Sequence, residues 1–520
     1  MTQVRSTPVP SADVTKRDPV SIQPLMGLRR TAAAGVVIGW IALILVGAVW
    51  FALDDDGLWF LSGAVACLVV SLPFVVGPVY DLISPWTLVV VAVYLGYGLR
   101  GVFIGLDVEG TRSLESLYFL GNDPDYFFAP TLLVLLGVLS LTAGYLIAAR
   151  RRPGQRPSLT ARRHLAPHRI QLAVLVSAVL GLLGFVLFVR STGGFSLTSL
   201  SAKRTLIGSV DLQSTYQSFG EYRVLNSFAP VALFLQVAWY NYRKLPHGPT
   251  TPRFYWLALL FINAALLPFY ASTRADVVYI IAGVMVIRYC LGGARFRVGL
   301  AVGAITAVAV LTAAMSSLRQ GDDESLSGIR VDSRVVVDTF VLTRTFGDLP
   351  TAGNIIEAVP ERLPYARGET IMAWAVAPIP RAIWPTKPLV SSGPILGTTV
   401  FGTPRSGVPP GAIAESYWNF GVGGLMILPL LCGAFLRLLS DRWAPYARSS
   451  PSAAIVMAAV VITPGMRLMA NSIGAAPYQV VQTLVVLLPV LLLASSSTDP
   501  GQQGGVNAGG RRSGSRPARR

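Results

Sequence analysis

The sequence predicts an all-α fold, a polytopic membrane helix bundle of about twelve spans with one large extracytoplasmic loop between spans nine and ten. Three observations carry that prediction. Of 520 residues, 52% are hydrophobic and only 13% are charged, and the mean hydropathy is +0.56, far from the composition of soluble domains. Apolar runs long enough to cross a hydrocarbon layer, which takes about 20 helical residues, recur along nearly the whole chain. The arginine-rich connectors fall on one side of the bundle when those runs are threaded in alternation.

Taken in order, residues 1–30 mix Ser, Thr, Pro and charge and read as a disordered cytoplasmic N-terminus. Spans are expected at 31–53, 58–76, 85–104, 127–149, 170–189, 227–240, 254–271, 276–291 and 297–316, which make up a transmembrane unit over 31–316. The runs at 227–240 and 276–291 are short, and tilt or partial re-entry would accommodate them. The first run leads into Asp54, Asp55 and Asp56 without a small-residue cleavage site, so it reads as a retained span. Residues 317–420 form the one sizeable insertion, with nine basic and ten acidic side chains. Within it Arg334 to Phe346 reads as an interfacial helix, and the insertion is expected to fold onto the bundle as a lid. Spans ten to twelve follow at 421–439, 452–469 and 477–494, and residues 495–520 are a Gly/Ser/Arg tail.

The excess of arginine at 150–169, 241–253 and 437–448 and in both termini puts both termini inside the cytoplasmic membrane. The formal charge of +17 is then a topology signal and a contact for anionic lipid. Nucleic acid is not an expected partner. Cys67, Cys290 and Cys432 lie in apolar runs and read as small core residues. His164, His168 and His247 fall on cytoplasmic connectors without acidic or Cys companions, so no metal centre is expected there.

Candidate chemistry concentrates at residues 407–424, which read GVPPGAIAESYWNFGVGG. Glu415 and Asn419 are one helical turn apart, with Tyr417 and Trp418 between them. Glu415 reads either as a general base or as an acceptor in the first turn of a helix. Asn419 would orient it, or a substrate. The aromatic pair would stack on a ring or anchor the interface. Upstream, Pro380-Arg381, Trp384-Pro385 and Lys387-Pro388 make a proline-braced basic segment. The short connector before span eight presents Arg274 beside Asp276, its expected partner in the bland reading.

These two segments of the insertion resemble the oligosaccharide repeat-unit polymerases of bacterial surface polysaccharides, the O-antigen polymerase (Wzy-type) family. The first is similar to that family's proline-arginine segment ending in Lys-Pro. The second, Pro410-Gly411 through Glu415, Tyr417, Asn419-Phe420-Gly421 and Gly424, is similar to its Asn-Phe-Gly signature. The resemblance implies transfer of a growing glycan from a polyprenyl-pyrophosphate carrier to the sugar of another carrier-linked unit, on the outer face of the membrane. It implies no cofactor and no metal. The expected partners are polyprenyl-pyrophosphate-linked glycans, membrane lipids and a chain-length regulator.

Such a reaction needs fixed positive charge for the pyrophosphate, which guanidinium groups supply. Arg274, Arg344, Arg381 and Arg467, with Lys387, are the candidates, and Tyr417 joins them in binding the substrate. With four lysines against thirty-nine arginines, part of this arginine content is compositional. A carboxylate buried under a lid would acquire the proton affinity that a general base needs. The absence of any histidine on the outer side leaves Glu415 as the expected base and Asn419 as its companion.

Two other classes make different demands. A metal-dependent transferase using a polyprenyl-phosphate sugar would draw on Asp54, Asp55 and Asp56 with Asp123 and Asp125. A glycan flippase would need ionisable residues inside several spans, where only Arg100, Arg288 and Arg467 lie near span ends.

Overall fold

The computed structural model describes residues 27–76, 79–108, 124–149, 164–191, 220–242, 254–270, 274–292, 347–379, 383–384, 392–402 and 408–496. They are mostly helical, as sustained apolar composition with few internal breakers requires. In chain order the long helices are α1 (Arg30–Leu53), α2 (Gly57–Val76), α3 (Pro85–Gly105), α4 (Pro124–Ala149) and α5 (Pro167–Ser191). Then come α6 (Gly220–Asn226), α7 (Phe228–Asn241), α8 (Phe254–Tyr270) and α9 (Arg274–Gly292). The insertion contributes α10 (Leu349–Ala358), α11 (Glu369–Ala375) and α12 (Gly393–Thr399). The chain closes with α13 (Gly411–Trp443), α14 (Pro451–Ala470) and α15 (Ala475–Ala494).

Among the described residues eight helices are long and apolar enough to cross a membrane: α1 to α5 and α13 to α15. They coincide with eight of the twelve expected runs. The runs at 227–240, 254–271 and 276–291 are helical but fall outside that set. α7, α8 and α9 have 14, 17 and 19 residues. The run at 297–316 and the expected interfacial helix at 334–346 lie outside the described residues.

Two hydrophobic clusters lie side by side. The first joins α2, α3, α4, α10 and α13 from Ala412 to Leu436; the second joins α5, α7, α8, α9 and α15. α14 belongs to both, with Ile455 to Ile462 in the second cluster and Leu468 and Met469 in the first. It is accordingly the most enclosed span, 89% buried against 6% for α1, whose Val36, Ile38, Leu45 and Val49 face outward. Close backbone approach sets the packing of α4 on α13. A methyl group at Gly144 would run into the Leu430 carbonyl, and one at Gly433 into that of Leu141. In a medium as apolar as the side chains themselves, such close contact replaces hydrophobic driving force.

Two short antiparallel pairings tie the ends together: β1 (Gly27–Arg29) with β2 (Val79–Asp81), and β3 (His164–Leu165) with β4 (Ser495–Ser496). Arg169 fastens the second by donating to the Ser495 carbonyl at 2.9 Å.

The insertion does not stand apart from the bundle. Nine of the ten residues of α10 are buried, all but Glu357, against the first cluster. Asp348 caps α10 by accepting from Thr351 N at 2.8 Å. The same carboxylate meets Arg100 of α3 at 3.3 Å, with only 3% and 2% of the two side chains exposed. Removing one member of a buried ion pair leaves the other charge desolvated, at a cost of about 3–5 kcal/mol. Asn caps a helix as well as Asp does, so Asp348→Asn isolates the charge. It should lower stability by about 3 kcal/mol, seen as a reduced unfolding midpoint in detergent. Arg100→Met in the same background should recover part of the loss.

Candidate functional site

The site is built on a break in α13. A continuous helix of 33 residues would be about 50 Å long, well beyond a hydrocarbon layer of about 30 Å. It divides at Phe420 (φ −140°, ψ 21°) and Gly421 (φ 60°, ψ −147°). The second of these conformations is open to glycine alone. The apolar span therefore begins at Gly421, as expected, and residues 411–419 form a separate first leg.

A helix break frees backbone groups that must find other partners. Here residues 364–370 supply them. Ala366 N donates to the Trp418 carbonyl at 3.0 Å and Arg367 N to that of Asn419 at 3.2 Å. Trp418 Nε1 returns a bond to the Pro364 carbonyl at 3.0 Å. The Asn419 side chain completes the seam. Its Oδ1 accepts from Gly368 N, and its Nδ2 donates to Thr370 Oγ1 and to the main-chain carbonyl of Glu415, each at 2.8 Å. Arg367 (φ 49°) and Gly368 (φ 93°) are both left-handed, which turns this segment sharply back over the helix.

Glu415 lies beneath the seam with no exposed surface. Its Oε2 accepts from the backbone N–H of Ile473, in the turn between α14 and α15. The same turn receives Gly411 N at the Asn471 carbonyl, 3.1 Å away. The other group that interacts with the Glu415 carboxylate is the Thr370 side chain, without the geometry of a full hydrogen bond to Oε1, and Ser472 Oγ on the same turn has no partner. The carboxylate thus does accept a backbone N–H, but from another helix's connector and not from its own first turn. Asn419 differs from its expected role as well. It bonds the main chain of Glu415 and not the carboxylate, and its other two bonds hold Gly368 and Thr370.

Around the break the surface is aromatic. Tyr365 is exposed and packs against Gly421, Tyr417 lies half-buried beside Tyr365, and Phe420 is 50% exposed over Gly368. Trp418 is buried.

Arg467, near the end of α14, pairs with Asp276 of α9. Its guanidinium carbon stands 4.8 Å from the centre of the Tyr279 ring. With the Asn471 amide turned to satisfy its own hydrogen bonds, that side chain accepts from Arg467 Nη1 at 3.2 Å. Asp276, which the bland reading offers to Arg274, is in ion-pair contact with Arg467. Arg274 opens α9 two positions before it, so the backbone brings both arginine positions to one end of the bundle. Arg344, Arg381 and Lys387 lie outside the described residues.

No family model, curated protein or solved structure matches this chain. What the site can do is therefore argued from its own groups. Among the described residues no cluster of three or more His, Cys, Asp or Glu side chains is placed to hold a metal ion. Cys67, Cys290 and Cys432 are buried and free.

The residues that sequence reading missed are those that touch Glu415 and Asn419: Gly368 and Ile473 through their backbone N–H groups and Thr370 through its hydroxyl. A signal existed for the first. The Arg367-Gly368 pair between two apolar stretches is turn chemistry. No signal in the sequence joins Ile473 to Glu415 across 58 positions.

Gly421→Ala tests the break directly. A Cβ there would meet the Tyr365 hydroxyl at 3.4 Å, ordinary contact, so the penalty comes from the backbone conformation. The expected destabilisation is about 1–3 kcal/mol, measured as a lowered unfolding midpoint, with faster amide exchange at residues 366–368.

Proposed function

We propose that this chain is a membrane glycosyltransferase that polymerises polyprenyl-pyrophosphate-linked oligosaccharide units into a surface polysaccharide at the outer face of the cytoplasmic membrane. The observation that carries the reading is Glu415 itself. A carboxyl group buried to 0% exposure, bonded on one oxygen and idle on the other, sits in the stretch that resembles the polymerase signature. Such an oxygen, with the Thr370 side chain as the carboxylate's other polar neighbour, is positioned to take a proton.

In the proposed step the acceptor sugar's hydroxyl oxygen bonds to the anomeric carbon of the donor glycan, and its proton passes to Glu415 Oε1. The bond from that carbon to the carrier's pyrophosphate breaks, and the electron pair leaves with the lipid pyrophosphate. Arginines stabilise the charge that develops on the leaving group. Arg274 and Arg381 are assigned this role, with Arg344 and Lys387 in support. Arg467, paired with Asp276, holds Asn471 of the turn that receives Gly411 N. Tyr417, with Tyr365 and Phe420, offers ring faces to sugars. Asn419 keeps the break closed. The multi-span bundle supports membrane residence, and the arginine distribution supports termini on the cytoplasmic side.

Glu415→Gln is the decisive variant. Gln keeps the acceptor for Ile473 N but cannot remove a proton, so cells carrying it as the sole copy should accumulate single repeat units in place of long polymer. Glycan analysis of surface material reads the outcome, and long-chain polymer from that variant would sink the assignment. Arg381→Lys keeps charge but loses the planar fork. Its donor KM should rise by about tenfold or more, the equivalent of one charge-assisted hydrogen bond; unchanged kinetics would remove Arg381 from the site.

A further inference from the structure

We infer that residues 364–370 are a strap that shuts Glu415 off from water, and that Asn419 is the latch that holds the strap down. The inference does not depend on which reaction Glu415 serves, because it concerns access to the carboxyl group.

The strap is attached in an unusual way. Its own side chains turn largely outward: Tyr365, Arg367 and Glu369 are exposed, while only Ala366 and Gly368 are buried within it. What fastens it is polar. Ala366 N and Arg367 N reach the carbonyls at the break in α13, and Trp418 Nε1 reaches the Pro364 carbonyl. Asn419 adds bonds to both Gly368 N and Thr370 Oγ1. Each of these groups can exchange its partner for water when the strap rises, so opening exposes little apolar surface and loses only modest net energy per bond. Apolar anchoring resumes on either side, at Leu363 and at Ala373, both buried.

Backbone conformation favours release as well. Arg367 is held at φ 49°, where a side chain is tolerated poorly, and it stays there while its N–H is tied to Asn419 O. Lifting the strap frees that residue. Beneath it, the idle Oε1 of Glu415 is the polar atom that gains a partner when solvent or a hydroxyl-bearing ligand enters. One amide therefore sets whether the carboxyl is reachable: Asn419 binds the strap on one side and the main chain of Glu415 on the other.

The test uses full-length protein in lipid vesicles and a water-soluble carbodiimide with glycine ethyl ester, which converts solvent-reached carboxyl groups to amides. Labelling at Glu415 is read by peptide mass spectrometry against exposed Glu361 as internal reference, with Glu415→Gln marking the assignment. Amide hydrogen exchange is followed in parallel. In the unaltered protein Glu415 should label far more slowly than Glu361. Asn419→Ala should raise its relative labelling, and the exchange of amides 366–368, by about tenfold or more, as loss of two or three hydrogen bonds implies. Thr370→Val removes one acceptor from the latch and should raise both by about threefold. Exchange in residues 422–443 should not change. If Asn419→Ala does not fold, Thr370→Val decides. Faster strap exchange without faster Glu415 labelling would show that the strap does not guard the carboxyl. Glu415 labelling as fast as Glu361 in the unaltered protein would overturn the inference outright. Loss of polymer in Glu415→Gln bears on the reaction alone, so the two readings fail separately.

Discussion

The structure around the site depends on satisfying the backbone groups released where α13 breaks. In hydrocarbon an unpaired N–H or carbonyl costs several kcal/mol, and Gly421 creates such groups by adopting a conformation that no helix continues through. Once the break exists, something must bond the carbonyls of Trp418 and Asn419, and the descending segment at 364–370 does so. Its path fixes where α11 starts, where Tyr365 lies, and how completely Glu415 is covered. A single glycine thus determines the layout of a site whose other parts come from three separate stretches of chain.

Charge in this bundle follows a related rule. Arg100 is paired with Asp348, Arg467 with Asp276, and Arg437 with Asp441 while its guanidinium lies 5.4 Å from the Tyr145 ring centre. Each pair joins segments that packing alone would hold less specifically: α3 to the start of α10, α14 to α9, and one turn of α13 to the next. A flippase would need ionisable groups free to act inside the spans, whereas the paired groups described here are engaged in fastening helices together. Glu415 is the exception in that half of its carboxylate is unused.

Much of this was legible in the sequence, and the rest was hidden for identifiable reasons. Spans such as α1, α2 and α5 are read off hydropathy because lipid solvation imposes a length and an apolar composition on any crossing helix. The start of the apolar leg at Gly421 was legible too, since polarity changes there. Glu415 stood out as an isolated carboxylate in apolar company. The role of Asn419 was not legible, because i, i+4 spacing predicts a side-chain neighbour, whereas two of its partners, Gly368 N and Thr370 Oγ1, lie 51 and 49 positions away. The pairing of Asp276 with Arg467 joins positions 191 apart, which spacing along the chain does not reveal. Short helices such as α7 carry too few residues for composition to tell a span from a packed core helix.

α14 lies in the wall shared by both hydrophobic clusters, and it is made after nearly all the helices it packs against. During synthesis, both halves of the bundle must therefore wait in the membrane with an open side until the final quarter of the chain emerges. The strap is synthesised before the helix it covers, and the turn that grips Glu415 comes later still. Assembly of the site is consequently a terminal event: translation has to reach Ile473 before the carboxyl can be enclosed, so a nascent chain stopped earlier holds the candidate catalytic group but not its floor.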